Sequence, residues 1–303
     1  MSLKVTILGA ASAKPTAGRH PSAQIVNCNE RLFLVDAGEG VQRQMFRMGI
    51  NPLKLSAVFI SHLHGDHLFG LFPLLSTMAL YGRRMALDVY APSPFGEILD
   101  GFRRYFEQDM PYDVVWHEVD TTQNVMLMEN RTLAVWSVPL RHSLRSSGYL
   151  FREKAPQLNV DKFKIERYGL DIEQIVAAKR GEDIVLPDGT VLPNGELTYL
   201  PREPRSYAYC SDTSFSPRAA EIVSGVDLLY HEATYADSER KVAGERGHST
   251  AVQAAEVARR AGVGRLIIGH FSSRYKDLQP LLDEAREVFP NTDIAVEGET
   301  FTA

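Results

Sequence analysis

Cysteine is scarce in this sequence, and long apolar runs are absent. Cys28 and Cys210 are the only two cysteines among 303 residues. This excludes a disulfide framework and, because both lie in apolar, strand-like stretches, predicts buried reduced thiols. No segment approaches the roughly 18 consecutive apolar residues that cross a bilayer, so we expect no membrane span. Residues 1–5 are typical of a first strand rather than a signal peptide, and we therefore expect a cytoplasmic protein.

An excess of positive charge is missing as well. The formal net charge is −5, which argues against nucleic-acid binding because phosphate neutralisation requires clustered lysine and arginine. Only a local basic patch or bound metal would restore that function. Nine histidines against two cysteines favour imidazole and carboxylate ligation of zinc, manganese or iron over a thiolate cluster. With no repeat, low-complexity tract or convincing linker, residues 1–303 are predicted to form one domain.

Short β-branched runs alternate with helical patterns along most of the chain. This alternation is typical of a layered α/β fold. Helices are predicted over about 67–81 and 250–261. Polar residues directly follow several predicted strands, at the edge where open α/β sheets place their sites. The predicted strands cover 5–8, 24–26, 32–35, 57–60, 114–116, 133–136, 207–209, 228–230 and 266–268.

Residues 152–205 break this alternation and are predicted to form an inserted arm. The segment carries five prolines, an Asp188-Gly189 turn and two short helical patterns. It has nine Lys and Arg against ten Asp and Glu, although residues 152–180 hold seven basic and five acidic residues. Two interpretations stay open: the arm tracks a nucleic-acid backbone, or it is a mobile, solvated excursion.

The motif with the clearest chemistry is Ser-His-Leu-His-Gly-Asp-His at 61–67, directly after the predicted strand that ends at Ile60. Where the strand gives way to a helix, the turning backbone can direct two histidines at one ion and the Asp-His pair at another, since each imidazole supplies a nitrogen at roughly 2.0–2.1 Å. The alternative is a solvated, histidine-rich turn. Three further candidate ligands follow later strands: His142, Asp212 and His270.

In this order, His-x-His-x-Asp-His followed by His, Asp and His, the seven residues resemble the pattern of the metallo-β-lactamase superfamily. The resemblance implies a four-layer αβ/βα sandwich and two zinc ions, with manganese or iron as substitutes. It assigns His62, His64 and His142 to one ion, Asp66, His67 and His270 to the other, and Asp212 to a bridge between them.

Two cations about 3.5–4 Å apart lower the pKa of a shared water and clamp the attacking and leaving oxygens of a phosphodiester. Asp66 would accept the proton from that water. Asp36 resembles an aspartate that orients a ligand in the superfamily, but it would equally cap the glycine-rich turn that follows it. Cys210, two residues before Asp212, is expected to pack rather than to bind metal.

Two more motifs, His231-Glu232-Ala233-Thr234 and Gly247-His248-Ser249-Thr250, resemble those of the ribonuclease Z family. An alkoxide leaving group must be protonated, and a histidine whose cationic form is favoured by a carboxylate is a suitable donor. We therefore interpret His248 as the general acid and Glu232 as the residue that orients it. The alternatives are helix capping for Ser249-Thr250 and a surface charge for Glu232.

Candidate substrate-binding residues lie in two segments, 270–275 and 14–21, which again resemble that family. The second departs from the family's usual Pro-x-Lys-x-Arg-Asn form. In it, His20 either stacks on a base or has no role. Hydroxyl groups and guanidinium forks suit phosphate. The five candidates are Lys14, Arg19, Ser272, Ser273 and Arg274.

The resemblance predicts a metal-dependent endoribonuclease that removes the 3′ trailer from precursor tRNA. Metal-activated water would attack the phosphodiester after the discriminator nucleotide and leave a tRNA 3′-hydroxyl. It also implies a homodimer and an arm that grips tRNA, although this arm lacks the family's common Gly-Pro-rich tip. Two alternatives stay open: a hydrolase of small or cyclic phosphodiesters or other esters on the same fold, and a noncatalytic RNA-binding protein that retains metal for stability.

Overall fold

The computed structural model describes residues 3–106 and 110–303, and the chain divides into two compact units. One is formed by the residues up to Arg152 together with Arg205–Ala303, and the other is Glu153–Pro204. Met1 and Ser2, the start of the predicted first strand, lie outside the described residues. None of the described helices has the length and apolarity to span a membrane.

The predicted strands are all found, with several more between them. In chain order, the strands of the described residues are β1 (Lys4–Gly9), β2 (Ala23–Cys28), β3 (Arg31–Ala37), β4 (Leu55–Phe59), β5 (Leu87–Ala91), β6 (Val114–Glu118), β7 (Met126–Glu129), β8 (Leu133–Pro139), β9 (Ser147–Glu153), β10 (Asn159–Val160), β11 (Ile184–Val185), β12 (Val191–Leu192), β13 (Thr198–Tyr199), β14 (Ser206–Cys210), β15 (Leu228–Glu232), β16 (Arg265–Gly269), β17 (Thr292–Ile294) and β18 (Thr300–Thr302).

The α-helices connect these strands and are mostly short. They are α1 (Val41–Arg47), α2 (Gly65–Leu68), α3 (Leu71–Leu80), α4 (Phe95–Tyr105), α5 (Lys162–Tyr168), α6 (Ile172–Lys179), α7 (Asn194–Leu197), α8 (Pro217–Ile222), α9 (Arg240–Glu245), α10 (Ala251–Ala261) and α11 (Gln279–Val288).

The first unit contains two seven-stranded sheets packed face to face. Their strand orders are β18-β1-β2-β3-β4-β5-β6 and β17-β16-β15-β14-β9-β8-β7. Strands β3 to β6 run parallel, as do β14 to β17. Aromatic rings fill the space between the sheets: Phe151 of β9 contacts Phe33 and Phe59 of the other sheet, with ring centroids 6.1 and 5.4 Å apart.

Helices cover the outer face of each sheet. Side chains alternate between the two faces of a strand, so Tyr207 and Tyr209 of β14 face the other sheet while Ala208 and Cys210 face helices α8 and α10. Helices α1, α3 and α4 cover the first sheet in the same way. The predicted four-layer αβ/βα sandwich is therefore confirmed. Both cysteines are buried thiols, as expected.

The second unit has a small apolar core of its own. Helices α5 and α6 and the short strands β10 to β13 surround six buried side chains. Asp171 begins α6 with a capping box that includes Gln174. The six residues are Val160, Leu170, Ala178, Ile184, Leu192 and Leu197.

The helix predicted over about 67–81 is instead two helices, α2 and α3, separated by Phe69 and Gly70. Gly70 packs against the backbone of the glycine-rich turn after β3: its N–H donates to Ala37 O at 2.8 Å, and a Cβ here would lie 2.1 Å from Gly38 O. This close approach interrupts the helix and keeps α2 short, directly beside the end of β3.

Candidate metal centre and active site

The carboxyl ends of strands from both sheets meet at one edge, and the seven predicted ligands converge there. His62 and His64 follow β4, and Asp66 and His67 lie in α2. The remaining three follow strands of the second sheet: His142 after β8, Asp212 after β14 and His270 after β16.

Four of these residues form a first donor group. The Nε2 atoms of His62 and His142 lie 3.0 and 3.3 Å from His64 Nδ1, and 3.6 and 3.8 Å from Asp212 Oδ2. Metal–nitrogen bonds of roughly 2.0–2.1 Å at tetrahedral angles place neighbouring donors about 3.3 Å apart. The separations fit one tetrahedral divalent cation.

Asp66, His67 and His270 form a second donor group beside the first. The two imidazole Nε2 atoms lie 3.3 Å apart, and each lies 3.5 Å from Asp66 Oδ2. Asp212 Oδ1 completes the group, at 3.4 Å from His67 Nε2 and 3.2 Å from His270 Nε2.

Asp212 thus directs one carboxylate oxygen at each donor group. The residue is buried, at 2% exposure, and within the described residues its Oδ1 has no hydrogen-bond partner. A buried carboxylate oxygen without a donor is costly. A pair of bound cations would remove that cost, so the donor set fits a dinuclear centre.

Three of the inward-facing imidazoles are oriented by a contact of the other ring nitrogen. His67 Nδ1 lies 2.7 Å from Asp36 Oδ2, His62 Nδ1 lies 3.0 Å from Ser61 Oγ, and His142 Nδ1 lies 2.8 Å from Gly247 O. Such contacts fix the ring orientation and the tautomer of metal-binding histidines.

Asp36 therefore contacts a candidate ligand. This favours the interpretation that Asp36 orients a ligand over the interpretation that it only caps the glycine-rich turn. Its carboxylate also accepts hydrogen bonds from Ser61 N at 2.7 Å and Tyr209 Oη at 2.6 Å. The backbone at Asp36 has a positive φ of 55°, a conformation that non-glycine residues seldom adopt. Several donors hold the carboxylate in place.

Glu232 and His248 form a buried pair next to the donor groups. Glu232 is fully buried, so the alternative of a surface charge is wrong. Its Oε1 lies 3.0 Å from His248 Nδ1 and accepts from the N–H groups of Thr213 and Ser249, and its Oε2 accepts from the N–H of Thr234, each at 3.0 Å. Burial alone would lower the pKa of His248, but the Glu232 carboxylate raises it to about 9.

His248 Nδ1 faces Glu232, which leaves Nε2 for another partner. His248 lines a cavity of about 470 Å³, together with His64, Asp66 and Asp212. The neighbouring Thr250 caps α10 through a capping box with Gln253, so the capping interpretation holds for that residue. His231 donates from Nδ1 to Glu232 O at 2.7 Å within the core.

The chain is similar to known proteins in sequence and in structure. Residues 3–132 match the family model described as Anti-Pycsar protein Apyc1, and residues 197–271 match the one described as Beta-lactamase superfamily domain. The chain is 44% identical over 294 residues to ribonuclease Z of Parabacteroides distasonis, covering 97% of both chains. It is 39% identical over 302 residues to ribonuclease Z of Cytophaga hutchinsonii, covering 99% of this chain and 96% of that one.

The chain belongs to the ribonuclease Z family. Solved structures share its fold at lower identity. Human tRNase Z, short form, is 22% identical with a TM-score of 0.70, covering 99% of this chain and 98% of that one. The metallo-beta-lactamase fold protein YhfI from Bacillus subtilis is 18% identical, also with a TM-score of 0.70, covering 99% of each. The predicted family and the metallo-β-lactamase fold are confirmed.

In this member of the ribonuclease Z family, the predicted substrate-binding arginines are held by the protein itself. Arg19 donates to Tyr275 O at 2.5 Å. Arg274 lies 3.2 Å from Glu239 Oε2 and stacks over the Tyr235 ring at 5.0 Å. Lys14, Ser272 and Ser273 are at least partly accessible. Binding of phosphate by these five residues stays a prediction.

His20 has a structural partner that neither sequence interpretation included. Its Nδ1 lies 2.8 Å from Glu297 Oε2, and Gln44 Nε2 donates to the same oxygen at 3.0 Å. Glu297 lies close to the carboxyl terminus and carries no motif. Nothing in the sequence therefore signalled this contact.

One contact to Asp66 was not predicted from the sequence. The N–H of Ala13 donates to Asp66 Oδ2 at 2.7 Å, and Ala13 has a positive φ of 62°. A backbone donor leaves no trace in side-chain patterns. The loop between β1 and β2 thus helps to orient one of the predicted ligands.

Proposed function

We propose that this member of the ribonuclease Z family removes the 3′ trailer from precursor tRNA by hydrolysing the phosphodiester after the discriminator nucleotide. The observation that carries the proposal is the bridging position of Asp212 between two donor groups, with His248 beside it. The family membership supports RNA as the substrate. The product end and the metal are part of the proposal.

We propose that two zinc ions occupy the centre, one held by His62, His64 and His142, the other by Asp66, His67 and His270, with Asp212 shared. Bound divalent cations supply Lewis acidity toward water and phosphate oxygens. Burial lowers the pKa of His62 well below its ordinary value, so this imidazole is neutral, as a ligand must be.

Asp66 and His248 handle the two protons of the reaction. The Asp66 carboxylate, which accepts a hydrogen bond from Ala13 N at 2.7 Å, is ionised at neutral pH and accepts a proton from water. The water oxygen forms a bond to phosphorus and the bond from phosphorus to O3′ breaks. The departing O3′ takes the proton of His248 Nε2, which leaves a 3′-hydroxyl on the tRNA and the phosphate on the trailer.

Glu232 keeps His248 in the protonated form and in a single orientation. The pKa of Glu232 is lowered to about 2: burial raises it, but His248, His270 and the Thr234 hydroxyl together lower it more. The pair is therefore an ionised carboxylate next to an imidazolium at neutral pH. A cationic donor beside the leaving oxygen is what cleavage of an alkoxide requires.

The arm, the oligomeric state and the location complete the proposal. A separate apolar core in residues 153–204 supports a folded arm rather than a solvated excursion, and we propose that it contacts tRNA. We also propose a homodimer, as the family resemblance implies. As a tRNA-processing enzyme, the protein would act in the cytoplasm.

The deciding experiment is incubation of the purified protein with a 3′-extended tRNA transcript, with and without chelator, followed by mapping of both product ends. We expect a chelator-sensitive cut after the discriminator nucleotide and a 3′-hydroxyl on the tRNA. Turnover of small or cyclic diesters without any cut in the transcript would favour the alternative hydrolase. RNA binding without metal-dependent cleavage would favour a noncatalytic protein.

A further inference from the structure

We propose that the first unit carries a phosphate-binding cleft beside the candidate metal centre, formed by Arg141 and Arg218, which takes an RNA backbone phosphate flanking the scissile bond. The inference rests on the proposed function for the identity of the ligand as RNA. It assigns phosphate recognition to residues outside both the arm and the two segments singled out in the sequence.

The cleft is a cavity of about 460 Å³ next to the loop that follows β8. Thr121, Thr122 and Ser216 line it together with the two arginines. The Thr122 hydroxyl donates to Asp120 and Ser216 is buried, so the two guanidinium groups are the main donors of the cleft. None of its lining residues, all within the described ranges, is acidic. Such a donor-rich surface suits a phosphate, which only accepts hydrogen bonds.

Both arginines are exposed, and neither forms a salt bridge within the described part of the chain. This distinguishes them from Arg19 and Arg274, whose guanidinium groups are held by Tyr275 O and Glu239. The nearby Asp120 carboxylate accepts from Thr122 N and Oγ1 at 2.8 and 2.6 Å. In a chain of net charge −5, two unpaired arginines form a local basic patch of the kind that RNA binding requires.

The backbone connects the cleft to the donor groups. Arg141 directly precedes His142, and adjacent Cα atoms lie about 3.8 Å apart. Arg141 N donates to Thr213 Oγ1 at 3.0 Å, and Ser214 N donates to Arg141 O at 2.7 Å. Thr213 directly follows Asp212. A phosphate held by Arg141 would therefore belong to the stretch of RNA backbone that passes the metal centre, and a planar guanidinium would bind it through two hydrogen bonds.

The test compares the double variant R141A/R218A with a matched control, R131A, in the zinc-loaded protein. Arg131 is also exposed but lies in the turn before β8, at the opposite end of that strand. For the 3′-extended tRNA we expect KM to rise roughly 10-fold at about 0.1 M salt in the double variant. The slope of log affinity against log salt should shrink by about 1 to 2. R131A should stay within about 2-fold of the parent protein.

Metal content and melting temperature are measured for all three proteins. If the double variant binds less metal or melts at a lower temperature, the single variants R141A and R218A are compared. For each we expect the slope of log affinity against log salt to change by about 1. If the Arg141 and Arg218 variants have the same KM and the same salt slope as R131A, the proposed phosphate-binding cleft is wrong. If the parent protein does not cut the transcript, the proposed function fails by itself. Fluorescence anisotropy with the same RNA then tests the cleft. A loss of RNA affinity in the Arg141 and Arg218 variants but not in R131A supports it.

Discussion

The hydroxyl of Thr234 lies 2.9 Å from Nδ1 of His270. It also lies 2.7 Å from Glu232 Oε2, and a carboxylate can only accept, so the hydroxyl proton is directed at Glu232. The oxygen of Thr234 then accepts the Nδ1 proton of His270. This leaves Nε2 of His270 unprotonated where it faces Asp66 and Asp212, the tautomer that metal binding needs.

Thr234→Val should therefore weaken metal binding at the second donor group. We expect a loss of affinity on the order of 10- to 100-fold, because contacts of this kind orient the ligand. Titration of the apoprotein with zinc in the presence of a competing chelator measures it. Thr234→Ser keeps the hydroxyl and serves as the control, and equal affinity of the Val and Ser variants would contradict the role.

His248→Ala should abolish the acid step without emptying the metal centre. We expect cleavage of the 3′-extended tRNA to fall by roughly 10²- to 10⁴-fold, the usual contribution of a general acid, at unchanged zinc content. Single-turnover cleavage and elemental analysis of the same preparation provide the two measurements. A parallel loss of metal and of cleavage would remove His248 from this role.

The pH dependence of cleavage should report the same proton. A histidine acts as an acid only while protonated, so activity is present below its pKa and is lost as pH rises through it. The pKa of His248 is raised to about 9 by Glu232, and bound cations would repel the imidazolium and move this limit to lower pH. Glu232→Gln removes the carboxylate charge and should lower still further the pH at which activity is lost. If the pH at which activity is lost is the same in Glu232→Gln as in the parent protein, a group other than His248 determines it.

Asp212→Ala should deplete bound metal because one side chain faces both donor groups. Loss of a shared ligand weakens both sites, so we expect less than half of the parent protein's zinc after gel filtration, at roughly equal fold content by circular dichroism. Asp88→Ala, at an exposed carboxylate on β5, is the matched control. Full zinc content in the Asp212 variant would refute the bridge.

Much of the site follows from local sequence. The 61–67 motif lies where a strand meets a helix. The ends of the strands near residues 140, 210 and 269 could also be predicted, from β-branched runs. Elements such as β9 and α4 carry no functional motif and were not predicted. The arm's boundaries were visible because prolines and polar stretches interrupt that periodicity.

The family, the layered α/β fold and the types of residue able to hold two cations can be inferred from the amino-acid sequence, because hydrophobic periodicity and the order of the ligands are properties of the chain. Three contacts of the site are visible only in the folded chain: Glu232 with His248, Asp36 with His67, and the N–H of Ala13 with Asp66. The folded chain also holds Arg19 against Tyr275 O, whereas Arg141 and Arg218 form no salt bridge within residues 3–106 and 110–303. These are contacts between residues far apart in the chain, and long-range packing, burial and hydrogen-bond satisfaction select them rather than local propensity.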